Sequence, residues 1–491
     1  MKSYILSIDQ GTTGSTALII DQDNYEVVSK ENCEFPQIFP KPGWVEHDLN
    51  QIWGSIEKSI TLALKKKNIS AKNIIAIGIT NQRETTCAFR KDGTPLAKAI
   101  VWQDRRTSHF CEENKLGYEK FQKKTGLPLD PYFSGTKMNW LLKNNTDVQK
   151  ASQDKDLYMS TIDSYLLYKL TGFKSFKTEA SNASRTLLMN LTTCEWDSEL
   201  TEFFQVPKDS LPQIEDSFTN FGSTLGLSFL PDGIPISCIL GDQQAALFGQ
   251  GGYKEGDLKC TYGTGAFILL NTGDKITYSS NKLLTTVAFK HKNKAIYALE
   301  GSTYIAGAAV QWLRDNLKVI NNAADVETLA IHAQEEQMEE LFFLPFFTGI
   351  GSPYWNSEAK GSILGLSRGT SINEISRACL EGIALSVNDS ITALTSDVDF
   401  RVEEILVDGG ASLNNFLLQL QSNFSKCIIT RPKVIETTAY GVAMGALVGL
   451  DKISLSKVKE LWTRDISITP NISSYFKNKQ KAWTELISKL Y

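Results

Sequence analysis

Arg83 and Glu84 stand side by side in Thr80-Asn81-Gln82-Arg83-Glu84-Thr85-Thr86, directly after the apolar run Ile74-Ile75-Ala76-Ile77-Gly78-Ile79. The run reads as a buried strand, so the pair falls at a strand end, where neighbouring side chains project to opposite sides or splay into a loop. Between them they donate to one hydroxyl and accept from another, which suits a small polyol. An exposed pair of this kind on its own is weak and common; its weight comes from the groups elsewhere in the chain. Asp242, in Ile239-Leu240-Gly241-Asp242-Gln243-Gln244-Ala245, opens a helix after a strand. Its role there is either an N-cap, worth about 1 kcal/mol, or a general base accepting a hydroxyl proton in phosphoryl transfer. Trp102 ends the run Ala99-Ile100-Val101, and Tyr132 lies in Pro131-Tyr132-Phe133-Ser134. An indole wall for a carbon skeleton and a phenol for one hydroxyl are what a triol pocket needs, although core packing is the commoner use of both rings.

Two glycine–threonine turns supply a second kind of chemistry. Gln10-Gly11-Thr12-Thr13-Gly14-Ser15 separates the strand ending at Asp9 from the strand Ala17–Asp21, and Gly263-Thr264-Gly265 separates Lys259–Tyr262 from Ala266–Leu270. Both read as hairpins. Backbone N–H groups freed by glycine, together with the hydroxyls of Thr12, Thr13 and Ser15, cradle phosphate oxygens. Asp9 would face the same site, where a carboxylate holds Mg²⁺ directly or through water. No Gly-x-x-x-x-Gly-Lys-Ser/Thr motif occurs, so this is not a P-loop. Two facing phosphate turns imply a nucleotide held across an interdomain cleft. In Val407-Asp408-Gly409-Gly410-Ala411-Ser412 the glycines would let a flat ring approach the backbone, with Asn414 near an adenine edge; a close helix–strand crossing would use the same glycines.

The elements that must position these groups follow from length and pattern. A chain of 491 residues exceeds a single hydrophobic core, and two similar hairpins half the chain apart imply duplicated α/β halves. The boundary is expected near Gly249–Gly256, giving domains 1–249 and 250–491. A helix is expected over Met159–Leu170 with a stop at Thr171-Gly172. Asn144–Asp156 reads as a loop or frayed helix end, and Asp274–Leu299 as a hairpin turning at Lys290–Lys294. Leu413, Phe416, Leu417, Leu420 and Phe424 form one helical face. A net charge of −4 without a basic block beyond Lys65-Lys66-Lys67 argues against nucleic acid. The 8 cysteines have no Cys-x-x-Cys pair and the 4 histidines are isolated, so neither a zinc site nor a disulfide framework is indicated, and a reducing compartment fits. The longest apolar stretch, Ala439–Leu450, is too short for a membrane span. A soluble, cytoplasmic protein without a membrane partner is expected.

Taken jointly, these residues resemble the FGGY family of carbohydrate kinases, with the actin-like ATPase fold, in its glycerol-phosphorylating branch. The likeness runs nearly end to end through Ile8-Asp9-Gln10-Gly11-Thr12-Thr13, Gly43-Trp44-Val45-Glu46-His47-Asp48, Asn81-Gln82-Arg83-Glu84-Thr85, Asp130–Lys137, Gly241–Ala245, Tyr262–Gly265, Gly351–Trp355 and Val407–Gly410. Members acting on longer sugars differ around Asn81–Thr85. The resemblance implies two duplicated ribonuclease H-like (actin/hexokinase-like ATPase) domains with an interdomain cleft, ATP and Mg²⁺ as cofactors, and glycerol as the acceptor, phosphorylated to sn-glycerol 3-phosphate. It implies that Arg83, Glu84, Trp102, Tyr132, Asp242, Gln243 and Phe267 bind glycerol, with Asp242 as base, and that Asp9 serves the metal. Thr12, Thr13, Gly14, Thr264, Gly307, Gln311, Gly410 and Asn414 would touch ATP. Relatives form dimers and tetramers, so a homo-oligomer is expected. A kinase for another small polyol or keto-sugar, and a non-catalytic nucleotide-dependent sensor, are the alternatives. Three departures stand out. Thr16 occupies a position where relatives carry arginine, no histidine lies between His109 and His291, and Phe221–Ile234 lacks the Gly-Gly-Thr-Arg loop that binds fructose 1,6-bisphosphate in others. Control through phosphohistidine or that sugar phosphate is therefore not expected.

Overall fold

The two runs that open the glycine–threonine hairpins become central strands of two sheets in the computed structural model, which describes residues 2–491. In the first half the strands are β1 (Tyr4–Gln10), β2 (Gly14–Asp21), β3 (Val27–Glu34), β4 (Ile74–Asn81), β5 (Phe218–Ser223) and β6 (Pro235–Gly241). They form a six-stranded sheet in the order β5-β6-β4-β1-β2-β3. β1, β2 and β3 make an antiparallel meander, whereas β1, β4 and β6 run parallel. Parallel strands covered on both faces read as continuous apolar runs, and Ile5, Leu6, Ile77, Ile79, Ile239 and Leu240 are all fully buried.

The second half repeats the plan with β7 (Leu258–Tyr262), β8 (Ala266–Gly273), β9 (Leu284–His291), β10 (Lys294–Thr303), β11 (Glu404–Asp408), β12 (Ile428–Pro432) and β13 (Arg464–Ile468). Their order is β9-β10-β8-β7-β11-β12-β13 in a seven-stranded sheet, with β7, β11 and β12 parallel. The duplicated α/β halves read from the hairpins are therefore present. Register brings the chemistry to one edge of each sheet: Asp9 pairs with Thr80, and Gly241, just before Asp242, pairs with Asn81, just before Gln82 and Arg83. Ligands of open α/β sheets bind outside the carboxyl ends of such parallel strands.

The helices that matter for the site are α1 (Leu49–Lys66), α2 (Asp242–Gly249), α3 (Gly307–Asp315), α4 (Ile372–Ser396), α5 (Asn415–Ser425) and α6 (Thr437–Gly449). α6 follows a strand of the second sheet but lies against the first half. Gly441, Gly445 and Gly449, spaced one turn apart, bring its backbone onto Ala245, Cys238 and Ser237; a Cβ on any of the three would run into those groups. Gly249 of α2 meets Thr437 in the same way. The apolar stretch too short for a membrane is thus an inter-half crossing helix, buried all round. No helix among the described residues is long and apolar enough to cross a membrane.

Local readings differ in three places. Tyr158–Thr161 is a strand and the helix begins at Ile162, because those four residues pair with Thr86–Phe89. The polar stretch holds a helix, Thr146–Gln153, capped by the Asn145 side chain and anchored by buried Val148 and Ala151. The hairpin turns where expected, but its strands cover Leu284–His291 and Lys294–Thr303, leaving 274–283 outside them.

Gly441→Ala should lower the melting temperature, since a methyl group driven into the Ala245 carbonyl costs about 1–3 kcal/mol of overpacking. Gly54→Ala in α1, where a Cβ meets nothing within 4 Å, should leave melting unchanged or raised. Thermal unfolding of both variants checks this; equal behaviour would remove the crossing helix from its assigned role.

Candidate active site

β4 ends at Asn81, and the chain then turns sharply. Gln82 N–H donates to the Gln10 carbonyl at 2.7 Å, and Thr85 N–H donates back to the Arg83 carbonyl at 2.7 Å. Glu84, at the centre of that three-residue turn, has φ of +59°, a left-handed conformation that costs a non-glycine residue free energy. The Ser134 and Thr86 hydroxyls both donate to its carbonyl, at 3.0 and 3.2 Å. The two side chains therefore splay in a loop, as one of the two sequence readings has it, and both are buried.

Arg83 is held on three sides. Its Nη1 and Nη2 donate to the two carboxylate oxygens of Glu300 at 2.5 and 3.0 Å, and its Nε lies 3.1 Å from Asp242 Oδ1. The bidentate geometry is the strong form of a guanidinium–carboxylate pair. Arg185 adds a second bridge: its Nε donates to Glu84 Oε1 at 2.6 Å and its Nη2 to Glu300 Oε1 at 3.0 Å. Its guanidinium carbon sits 5.6 Å from the Tyr132 ring centre and 5.3 Å from that of Phe133. Burial raises the Glu84 carboxyl, with Arg185 and Arg83 offsetting part of the effect. For Glu300 burial acts upward too, but the same two arginines outweigh it and hold the carboxyl at about 2.

Asp242 is the first residue of α2; Gly241 occupies the cap position, so the capping role open to Asp242 in the sequence is not the one it takes. Its carboxylate, half-exposed to the cleft, accepts from Gln243 N–H at 2.7 Å and faces Arg83. Gly241 leaves room for the Arg83 methylenes, which a Cβ would meet at 2.8 Å. Asp9, at the end of β1, has its carboxyl pushed up to about 7, by burial first and then by the negative charge of Asp242. Trp102, Tyr132 and Phe267 meet edge to face, with ring centres 5.8 and 6.5 Å from Trp102, and line a cavity of about 430 Å³. Trp102 Nε1 donates to Thr12 Oγ1 at 3.0 Å, tying the first glycine–threonine turn to this wall.

A second cavity, of about 480 Å³, lies against the other sheet and is lined by Thr264, Gly307, Gln311, Gly410 and Asn414 among others. Apolar walls come from Val310, Leu380, Ile383 and Leu417. Leu413, assigned to the buried helical face, is 55% exposed and borders this cavity, because 410–413 form a short 3₁₀ turn ahead of α5. Gly409 and Gly410 serve differently: Gly409 has φ of +84° and abuts Tyr262, while nothing occupies the space a Cβ on Gly410 would take. Asn414 Oδ1 caps α5 through Leu417 N–H at 2.8 Å, so only its NH₂ is free for a ligand. Thr12, Thr13 and Gly14 do not line this cavity. Their turn nevertheless closes like the second one: Gly11 N–H donates to the Gly14 carbonyl and Gly263 N–H to the Gly265 carbonyl, each at 2.9 Å. Thr16 accepts from Asn32 Nδ2 at 2.9 Å.

Two lobes of duplicated topology, with buried charged groups behind an aromatic-walled cavity and small backbone-rich turns at another, define the actin-like class of phosphotransferases. Residues 4–249 match the N-terminal domain of the FGGY family of carbohydrate kinases and residues 258–450 its C-terminal domain, and the chain belongs to that family. A glycerol kinase of Bdellovibrio bacteriovorus is 47% identical over 504 residues, covering 100% of both chains, and one of Listeria monocytogenes is 46% identical over 94% of each. Among solved structures, Plasmodium falciparum glycerol kinase with ADP superposes with a TM-score of 0.92 at 34% identity, over 100% of this chain and 98% of that one. A gluconate kinase from Lactobacillus acidophilus shares the fold, with a TM-score of 0.88 at 23% identity.

Sequence reasoning missed Arg185 and Glu300. Glu300 carried a signal, a single carboxylate inside the otherwise apolar strand Tyr297-Ala298-Leu299-Glu300; Arg185, among small polar residues, carried none. Removing one partner of a buried ion pair costs about 3–5 kcal/mol, and Glu300→Gln should destabilise the fold on that order. Because the carboxyl is depressed from 4.5 to about 2, its contribution is complete above pH 4.5 and fades as pH falls towards 2. Denaturant unfolding across pH should therefore show the gap between the parent protein and Glu300→Gln closing on acidification; a gap independent of pH would contradict the ion-pair account.

Proposed function

We propose that the chain transfers the terminal phosphoryl group of ATP to glycerol, forming sn-glycerol 3-phosphate, with residues 1–249 and 250–491 as its two domains. The observation that carries the reading is the buried Arg83–Glu84 pair, set beside the Asp242 carboxylate and the aromatic wall of Trp102, Tyr132 and Phe267. That arrangement offers a donor, an acceptor and apolar walls to a three-carbon triol, and near-full-length similarity to glycerol kinases supports the choice of acceptor. Glu84 accepts from one hydroxyl, Arg83 and Gln243 donate to others, and Asp242 takes the proton of the terminal hydroxyl as its oxygen attacks the γ-phosphorus.

ATP would place its adenosine in the cavity of Gln311, Gly410 and Asn414 and its phosphates between the turns at Thr12-Thr13-Gly14 and Thr264, beside Gly307. That the Plasmodium relative is solved with ADP supports the use of an adenine nucleotide. Asp9 and Asp242 fit a hard divalent cation. They are two carboxylates near enough for Asp242 to add to the upward push that burial gives Asp9, and Mg²⁺ is commonly held by one or two carboxylates, with phosphate oxygens and water completing its shell. Mg²⁺ bound there would neutralise charge on the transferring phosphoryl oxygens. Approach of the two halves excludes water and limits ATP hydrolysis. Cytoplasmic location and assembly as a dimer or tetramer belong to the same proposal.

A coupled assay for glycerol 3-phosphate tests the reaction, with glycerol expected to exceed erythritol, xylulose and dihydroxyacetone in kcat/KM. Asp242→Asn should lower kcat by about 10²–10⁴-fold while moving the glycerol KM far less. Near-normal turnover in that variant would remove Asp242 as the base.

A further inference from the structure

Lys259 lies on β7 and is fully buried, with 0% of its surface exposed. Lysine is rarely buried without a carboxylate in contact, yet among the described residues its ammonium makes no ion pair within 4.0 Å. Instead Nζ donates to Gln243 Oε1 at 2.5 Å, to Thr261 Oγ1 at 2.9 Å and to the Phe267 carbonyl at 3.3 Å. Asp408, Asp242 and Glu300 act on it only through the field, and burial lowers its pKa. Two of its three direct partners, Gln243 and Phe267, belong to the proposed acceptor pocket.

An ammonium donates and never accepts. The end of the Gln243 carboxamide that meets Lys259 must therefore be its oxygen, and the NH₂ must turn the other way. That NH₂ donates to no protein group, and it is not among the sealed, partnerless polar atoms. It sits one residue from Asp242, on the first turn of α2. A carboxamide without such an anchor can rotate by half a turn and present either end, since its two ends are nearly the same shape.

We propose that Lys259 is a positioning residue for the acceptor: it locks the Gln243 carboxamide with the NH₂ towards an acceptor hydroxyl. The proposal rests on the reading of that pocket as the glycerol site. It also gives a reason for a buried cation where a neutral side chain would cost less: a three-donor head group fixes an amide, a hydroxyl and a main-chain carbonyl from one strand.

A double-mutant cycle on the full chain tests it, using Lys259→Met, Gln243→Ala and the pair, with glycerol and ATP varied separately. Lys259→Met should raise the glycerol KM about tenfold or more, the loss of a charge-assisted anchor, with the ATP KM moving less than about twofold. In the Gln243→Ala background the same substitution should add less than about twofold, because its target is gone. Factors that multiply in the pair, or a glycerol KM unmoved by Lys259→Met, would overturn the proposal. Gln243→Glu keeps the contact with Lys259 but replaces the NH₂ by an oxygen, so it tests the claim even if Lys259→Met does not fold. Its glycerol KM should rise as far as in Gln243→Ala, and a parental value would overturn the proposal. A parent protein inert towards glycerol would defeat the acceptor reading itself, whereas multiplying factors in an active enzyme would defeat only the role of Lys259.

Discussion

Charge buried away from water needs partners, and at the floor of this cleft the partners come from both halves of the chain. Arg83 and Glu84 follow β4, Asp242 opens α2 and Arg185 precedes Leu187-Leu188, all in the first half; Glu300 on β10 and Lys259 on β7 belong to the second. Glu300 of the second half is the carboxylate that both Arg83 and Arg185 of the first half bond to, so the ion pairs of the first half are completed only across the halves. An isolated ion in such a setting would be strongly disfavoured. The alignment of the halves is therefore a condition for placing the acceptor groups at all. The glycine-lined crossing of α6 over α2 sets how closely the halves approach, so a packing constraint some distance from the chemistry governs the electrostatics of the site.

The two cavities are built on different physical terms. The acceptor side has an aromatic-walled cavity backed by side chains of fixed charge, whose directions are set by bidentate and charge-assisted hydrogen bonds. The other relies on backbone and small residues: hairpin turns closed by a single N–H donor, and glycines that either permit a left-handed turn, at Gly409, or leave space, at Gly410. A rigid charged pocket discriminates a small polar molecule by the placement of each hydroxyl, whereas an open apolar cavity suits a flat ring. On the acceptor side, the edge of the parallel strands holds Gln10, Asn81 and Gly241 in register, with Asp9 one residue earlier.

What the sequence made legible is what is local. Both hairpins, the strand before Arg83 and the helix opened at Asp242 follow from apolar runs bounded by glycine and threonine, and the duplication of the halves follows from the hairpins. Met159–Thr161, expected as the start of a helix, belong to a strand, because that state is decided by pairing with Thr86–Phe89, some seventy residues earlier. The helix at Thr146–Gln153 was missed because two buried side chains, Val148 and Ala151, outweigh a polar composition. In the candidate site, the residues that the sequence singles out lie beside recognisable turns or runs. Arg185, Glu300 and Lys259 are not singled out, since for the arginines and Glu300 the significance lies in contacts across 101 to 217 positions of sequence, and no periodicity encodes such a contact.

The strained turn at Glu84 shows how these levels bear on one another. A left-handed non-glycine residue costs on the order of 1–3 kcal/mol and persists only where its surroundings over-determine it. Here the backbone is fixed by Thr85 N–H and by the hydroxyls of Ser134 and Thr86, while the side chain is fixed by Arg185. Arg185 in turn depends on Glu300 from the other half. Relaxing the turn would swing the carboxylate away from Arg185, leaving a guanidinium without one of its two anions in a site that excludes water. The conformation that sets the Glu84 carboxylate against Arg185 is thus held by the same ionic contacts that join the halves.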